Sequence, residues 1–298
     1  MIKRVFLFLL TNLLVLLSVS VVLKVLGLEP LLNSYNINYQ SLMIFCLVYG
    51  MVGSFISLQL SIFMAKKMMG VEVVDNTKAR EQWQIDLVAM VYTCAKKAGL
   101  KKMPEVGVFY SDEMNAFATG PSKNKSLVAV SSGLLNNMNR DEIEAVIGHE
   151  VAHIANGDMV TMTLLQGIVN AFVMFFARIL AQVVSTALRS NSESRVGGGF
   201  IYFGLVIAFE IVLMILGSLV VNWFSRYREY RADAGGAAVT SRDQMIAALR
   251  KLGMQGHKTE APDGLAALQM YNKKSFMELF STHPSLDKRI KKLQKRSY

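Results

Sequence analysis

Four stretches of this chain are longer and more apolar than a strand or buried helix of a water-soluble domain needs to be. They are residues 5–26 (VFLFLLTNLLVLLSVSVVLKVL), 41–65 (SLMIFCLVYGMVGSFISLQLSIFMA), 159–187 (MVTMTLLQGIVNAFVMFFARILAQVVSTA) and 199–223 (GFIYFGLVIAFEIVLMILGSLVVNW). A helix of about 20 residues crosses the roughly 30 Å hydrocarbon layer of a bilayer. Lipid offers the backbone no hydrogen bonds, so each stretch predicts a helix. A secretory signal peptide is the rival reading of residues 5–26. The apolar run is too long for one, and no small-residue cleavage pattern follows it. Lys24 lies where it can reach the interface, and Trp223 is placed as an interfacial anchor. The composition agrees: 52% of residues are hydrophobic and only 18% are charged. The net charge of +10 then suits anionic lipid headgroups better than nucleic acid.

The basic residues orient the spans. Lys3 and Arg4 precede the first, and residues 27–40 contain no Lys or Arg. Lys66 and Lys67 follow the second, and RYREYR (226–231) follows the fourth. This distribution predicts both termini and the large polar segment on the cytoplasmic side. Arg178 and Glu210 interrupt spans three and four; charges there are costly, and an ion pair between them is expected. Cys46 and Cys94, the two cysteines, read as buried thiols in a reducing compartment.

The chain thus divides into an apolar hairpin (1–65), a polar segment (66–158), a second hairpin (159–223) and a second polar segment (224–298). Residues 79–98 read as an amphipathic helix ending at Gly99. EVGVFY (105–110) and SLVAVSS (126–132) read as strands, and NAFATG (115–120) as an extended edge segment ending before Pro121. The fold class expected is mainly α: four transmembrane helices and a mostly helical polar domain carrying a small β-sheet.

VIGHEVAHIANGD (146–158) carries the chemistry. A helix is expected from Asn139, which with Glu142 has capping-box spacing, to Gly157. On it His149 and His153 are one turn apart and project from the same face. Two imidazoles so placed can hold one Zn²⁺, with Glu150 beside them to act on a metal-bound water. A catalytic zinc needs a third protein ligand and an open fourth position. SRYREYRADAGGA (225–237) offers Glu229 as that ligand. Asp233, one turn on, could accept a hydrogen bond from the outer nitrogen of a ligating histidine. The competing reading is a basic interfacial helix with ordinary charge pairs.

NAFATG, GHEVAHIANGD, EYRAD and STHPSLDKRI (281–290), set among these spans, resemble the HtpX family of membrane-bound zinc metalloproteases, gluzincins related to the type I CAAX prenyl protease. The likeness covers nearly the whole chain. The family often reads HPP where this chain has HPS at 283–285. The resemblance implies a zincin-like protease domain assembled from 66–158 and 224–298. It implies one Zn²⁺ per chain on His149, His153 and Glu229, with Glu150 as base. It also implies quality control of misfolded or damaged membrane proteins at the bacterial inner membrane, with a cytoplasmic active site. Asn115, Ala116 and Phe117 are then candidates for a strand edge that holds substrate, against a plain loop. His283 is either an oxyanion donor or a residue that orders the turn at Pro284. Arg289 is expected to pair with Asp233 or Glu229; His257 has no expected role.

Two other classes remain: a protease cutting inside the membrane, because the motif runs into span three, and a non-catalytic zinc-binding scaffold or transporter. A structural zinc would close all four positions, often with Cys, and no Cys lies near. Because the metal would join segments separated by two spans, chelation should make residues 224–240 more sensitive to added protease. Unchanged sensitivity would argue against a metal bridge.

Overall fold

The structure is a computed structural model that describes residues 38–74, 81–190, 198–256 and 281–295. The apolar stretch 5–26 and His257 lie outside the described residues. Contacts divide the chain into two units. One takes the chain up to Ile56 together with Thr163–Val221; the other takes Ser57–Met162 and Asn222 onward.

The first unit is built from parts of three long helices, α1 (Tyr39–Met68), α5 (Asp158–Ser190) and α6 (Gly198–Val239). Among the described residues these are the three helices long and apolar enough to cross a membrane, with mean hydropathies of 2.0, 1.9 and 2.6. They correspond to the second, third and fourth apolar stretches. The helix α6 is longer than its span: it continues unbroken through EYRAD. Met43, Cys46 and Leu47 of α1 are buried against Ala171 and Phe175 of α5. The backbones come close where Gly50 meets α5, since a Cβ there would lie 2.8 Å from the Gly167 carbonyl oxygen. Arg178 donates to Glu210 at 2.9 Å and to the Met174 carbonyl at 3.0 Å. The two intramembrane charges therefore satisfy each other.

The second unit holds the sheet. Its strands β1 (Glu72–Val74), β2 (Glu105–Phe109), β3 (Ala116–Ser122) and β4 (Lys125–Ser131) lie in the order β1-β2-β4-β3. The β2–β4 pair is parallel, with Val106 opposite Val128, and both outer pairs are antiparallel. Among the described residues β3 is thus an edge strand. It runs through Pro121 rather than stopping before it. An edge tolerates a proline because one side of the strand makes no ladder bonds, and the register shifts between Thr119 and Ser122.

Two helices cover the buried side of β2 and β4: α2 (Gln82–Lys97) and α4 (Arg140–Asn156). The first starts three residues later than its pattern suggested and ends at Gly99 (φ 75°). The short α3 (Ser132–Asn137) was not evident in the sequence; its N-cap is Ser131, whose hydroxyl accepts from the Leu134 amide at 3.0 Å. Cys94 is buried in this core, and burial pushes its thiol up to about 11, so it stays protonated. The capping box at the start of α4 forms, with Asn139 Oδ1 accepting from Glu142 N at 2.9 Å and Glu142 Oε2 from Asn139 N at 3.0 Å. At its other end Gly157 adopts the left-handed conformation (φ 76°), and α5 begins at the next residue. The last elements are α7 (Arg242–Gly256) and α8 (Leu286–Lys295).

The polar end of α6 packs against α4 through small residues. A Cβ on Gly236 would come within 2.9 Å of the His149 amide nitrogen and 2.4 Å of Met245 Cε. One on Gly235 would lie 2.7 Å from Ala152 Cβ. Only glycine allows two backbones this near each other. Gly236→Ala should therefore force α4 and α6 apart and cost about 1–3 kcal/mol, read as a lower midpoint in chemical denaturation. An unchanged midpoint would mean the seam relaxes freely.

Candidate metal centre

One face of α4 brings the two histidines together, and the glycine seam brings α6 to that face. The His149 and His153 rings stand edge to face at 88°, with centroids 4.7 Å apart. Their Nε2 atoms are 3.2 Å apart. Glu229 completes a triangle: Oε2 lies 3.5 Å from His149 Nε2 and Oε1 lies 3.3 Å from His153 Nε2. Ligands held tetrahedrally at the usual zinc bond lengths stand about 3.3 Å from one another. The three residues form the one cluster among the described residues whose donor atoms could hold a metal ion.

The outer nitrogens are held as a metal site requires. His149 Nδ1 lies 3.0 Å from Asp233 Oδ1, and His153 Nδ1 lies 2.6 Å from Asp158 Oδ2. A proton on each Nδ1, directed at its carboxylate, would leave the Nε2 lone pair facing Glu229. Glu229 is 1% exposed, yet neither of its carboxylate oxygens has an aligned hydrogen bond. A buried carboxylate in that condition needs positive charge beside it; Arg289 at 3.6 Å and Arg228 at 3.9 Å supply part, and a bound cation would add to it. His149 gives the same indication. Its burial favours the neutral ring, but the carboxylates of Asp233 and Glu229 beside it outweigh both this and the nearby Arg289 charge. Its pKa is raised to about 9. These residues fit a divalent cation.

The other sequence candidates fall around this centre. Glu150, half-buried, lines a cavity with His149, Glu229, Asn115 and Ala116. Phe117 does not line it; its ring packs on Phe109 with centroids 5.5 Å apart, on the opposite side of the strand. The His283 ring is largely exposed, but its Nδ1 lies 2.9 Å from Glu229 Oε2. Its backbone also shapes the turn, the carbonyl accepting from Ser281 Oγ at 2.7 Å. Arg289 contacts both expected partners, gripping Asp233 and lying 3.6 Å from Glu229. The role of Asp158 was missed. The signal was there: it follows the Gly157 cap, which turns the chain back toward His153.

The fold and this centre define a membrane metalloprotease. Residues 81–297 match the sequence model of Peptidase family M48. The Protease HtpX homolog of Bacillus licheniformis is 50% identical, over 98% of this chain and 99% of its own. Protease HtpX of Shewanella piezotolerans is 49% identical, again over 98% and 99%. The crystal structure of Ste24p from S. mikatae shares the fold, with a TM-score of 0.60 at 18% identity, covering 98% of this chain and 67% of that one. The chain belongs to peptidase family M48, among its HtpX proteases.

His149→Ala and Glu229→Gln should each purify without metal by elemental analysis, whereas Glu150→Gln should retain it. Equal metal content in all three would place the ion elsewhere.

Proposed function

We propose that this chain is a zinc endopeptidase of the bacterial cytoplasmic membrane, with its active site on the cytoplasmic side, that cuts misfolded or damaged membrane proteins. The observation that carries the reading is the His149–His153–Glu229 triangle, whose edges of 3.2–3.5 Å suit a tetrahedral zinc. Two histidines, a carboxylate and no cysteine form the donor set of hydrolytic zinc. Bound here, zinc would lower the pKa of a water to about 7 and polarise the scissile carbonyl.

The chain's own residues do the rest. Glu150 follows the first ligand and faces the same cavity. It accepts the proton of the attacking water on its carboxylate and passes it to the nitrogen of the leaving amine. His283 is engaged with Glu229 through Nδ1, which leaves Nε2 to donate to the carbonyl oxygen as charge develops there. The unpaired side of β3 supports capture of an extended substrate by strand addition, beginning at Asn115 and Ala116.

The cavity beside Glu150 is small, about 110 Å³; His283 and Arg289 share its polar side, and Leu134, Val146, Met245, Leu249 and Leu252 form an apolar wall. Such a wall suits an apolar side chain next to the scissile bond, which the spans of damaged membrane proteins supply in abundance. The cytoplasmic orientation rests on the distribution of Lys and Arg.

The deciding experiment is cleavage of an unfolded test protein by the detergent-purified chain supplied with zinc, beside Glu150→Gln. Cleavage by the parent alone is expected. Equal rates from both, or none from either with zinc bound, would sink the reading. His283→Ala should lower turnover by about 10²-fold with zinc retained. Loss of the zinc instead would assign His283 to holding Glu229.

A further inference from the structure

Arg289 is brought to the metal centre by α8, 140 residues after His149 and 56 after Asp233. It is buried, and its guanidinium grips both oxygens of the Asp233 carboxylate: Nε to Oδ2 at 2.9 Å and Nη2 to Oδ1 at 2.5 Å. The same Nη2 lies 3.4 Å from His149 Nδ1. Its Nη1 lies 3.6 Å from Glu229 Oε2, without an aligned hydrogen bond.

We propose that Arg289 is a positioning residue for the metal: its two-point grip on Asp233 fixes the ring of His149, so docking of α8 and binding of the ion support each other. This inference rests on the metal reading of the His149–His153–Glu229 cluster.

The geometry supports it in three ways. A carboxylate held at one oxygen can still rotate about its Cβ–Cγ bond; held at both by a planar fork it cannot. Asp233 Oδ1 therefore stays 3.0 Å from His149 Nδ1, and the ring keeps Nε2 on the metal side. Next, the guanidinium reaches Asp233, His149 and Glu229 together, whereas an ion pair that merely anchored α8 would need only one of them. Finally, Arg289 makes its tight contacts with Asp233 and leaves the Glu229 oxygens unaligned, so its charge lies beside the ligand without taking its place.

A second contact of α8 provides the control. Lys292 lies on the same helix, with Nζ 4.0 Å from the ring centroid of Tyr230 on α6. It helps dock α8 through Tyr230 and makes no hydrogen bond or ion pair with the metal-site residues named here.

The test uses the full chain in detergent and zinc as the probe, with affinity measured by competition against a chromophoric chelator. Arg289→Gln should bind zinc about 10–100-fold more weakly than the parent. Arg289→Lys, which keeps the charge but offers no fork, should also bind more weakly. Lys292→Ala should match the parent. Zinc should slow amide exchange across residues 286–295 in the parent and less so in Arg289→Gln. Circular dichroism confirms that each variant is folded before titration. Parent-like affinity in Arg289→Gln overturns the proposal while leaving the metal site in place. So does an equal loss in Lys292→Ala, which would mean that helix docking alone matters. A parent that takes up no zinc overturns the metal reading and this proposal together.

Discussion

The centre depends on one buried carboxylate. Glu229 is withdrawn from water, faces two imidazole nitrogens and has no aligned hydrogen bond of its own. A charge in that condition needs positive charge around it: Arg289 and Arg228 stand 3.6 and 3.9 Å away, and its other neighbours are arranged to admit a cation. Two further buried carboxylates, Asp233 and Asp158, turn the histidines so that their lone pairs face inward. The side chains cannot converge unless the backbones that carry them come close. This is why the polar end of α6 meets α4 at a Gly–Gly step. The glycines contribute no side-chain atom to the chemistry, yet they set the helix separation on which the distances from Glu229 to both histidines depend.

The sheet serves the same centre from the other side. The parallel pairing of β2 with β4 places β4 inside the sheet and β3 at its edge. Alternation along β3 then divides its residues between two environments. Ala116 faces the cavity that holds Glu150, and Phe117 packs on Phe109. A strand that serves both as wall and as edge links the apolar packing of the sheet to the place where a peptide would lie.

What could be read from the sequence was local. The second, third and fourth apolar stretches are helices, because lipid-length apolar runs permit little else. The boundaries of α4 were set by Asn139 and Gly157, each acting within its own helical turn. The histidine pair followed from helical periodicity. What could not be read was pairing across distance. Nothing in EVGVFY or SLVAVSS says that they run parallel, or that Glu72–Val74 joins them. For Arg289 the sequence named Asp233 or Glu229 as a partner without placing it, because its fork geometry depends on how α8 docks. The Gly235–Gly236 step reads as flexible in isolation and proves to be a close contact between helices. Pro121 gave the wrong strand end, because its penalty vanishes on an edge.

The order of the ligands along the chain has a consequence for synthesis. His149 and His153 precede two apolar spans, and Glu229 follows them. A chain emerging from the ribosome therefore carries two histidines and no third donor until both spans have been made. Arg289 comes 60 residues after Glu229. The centre therefore cannot form around the histidine helix alone: it waits until α6 has been made and its polar end has met α4.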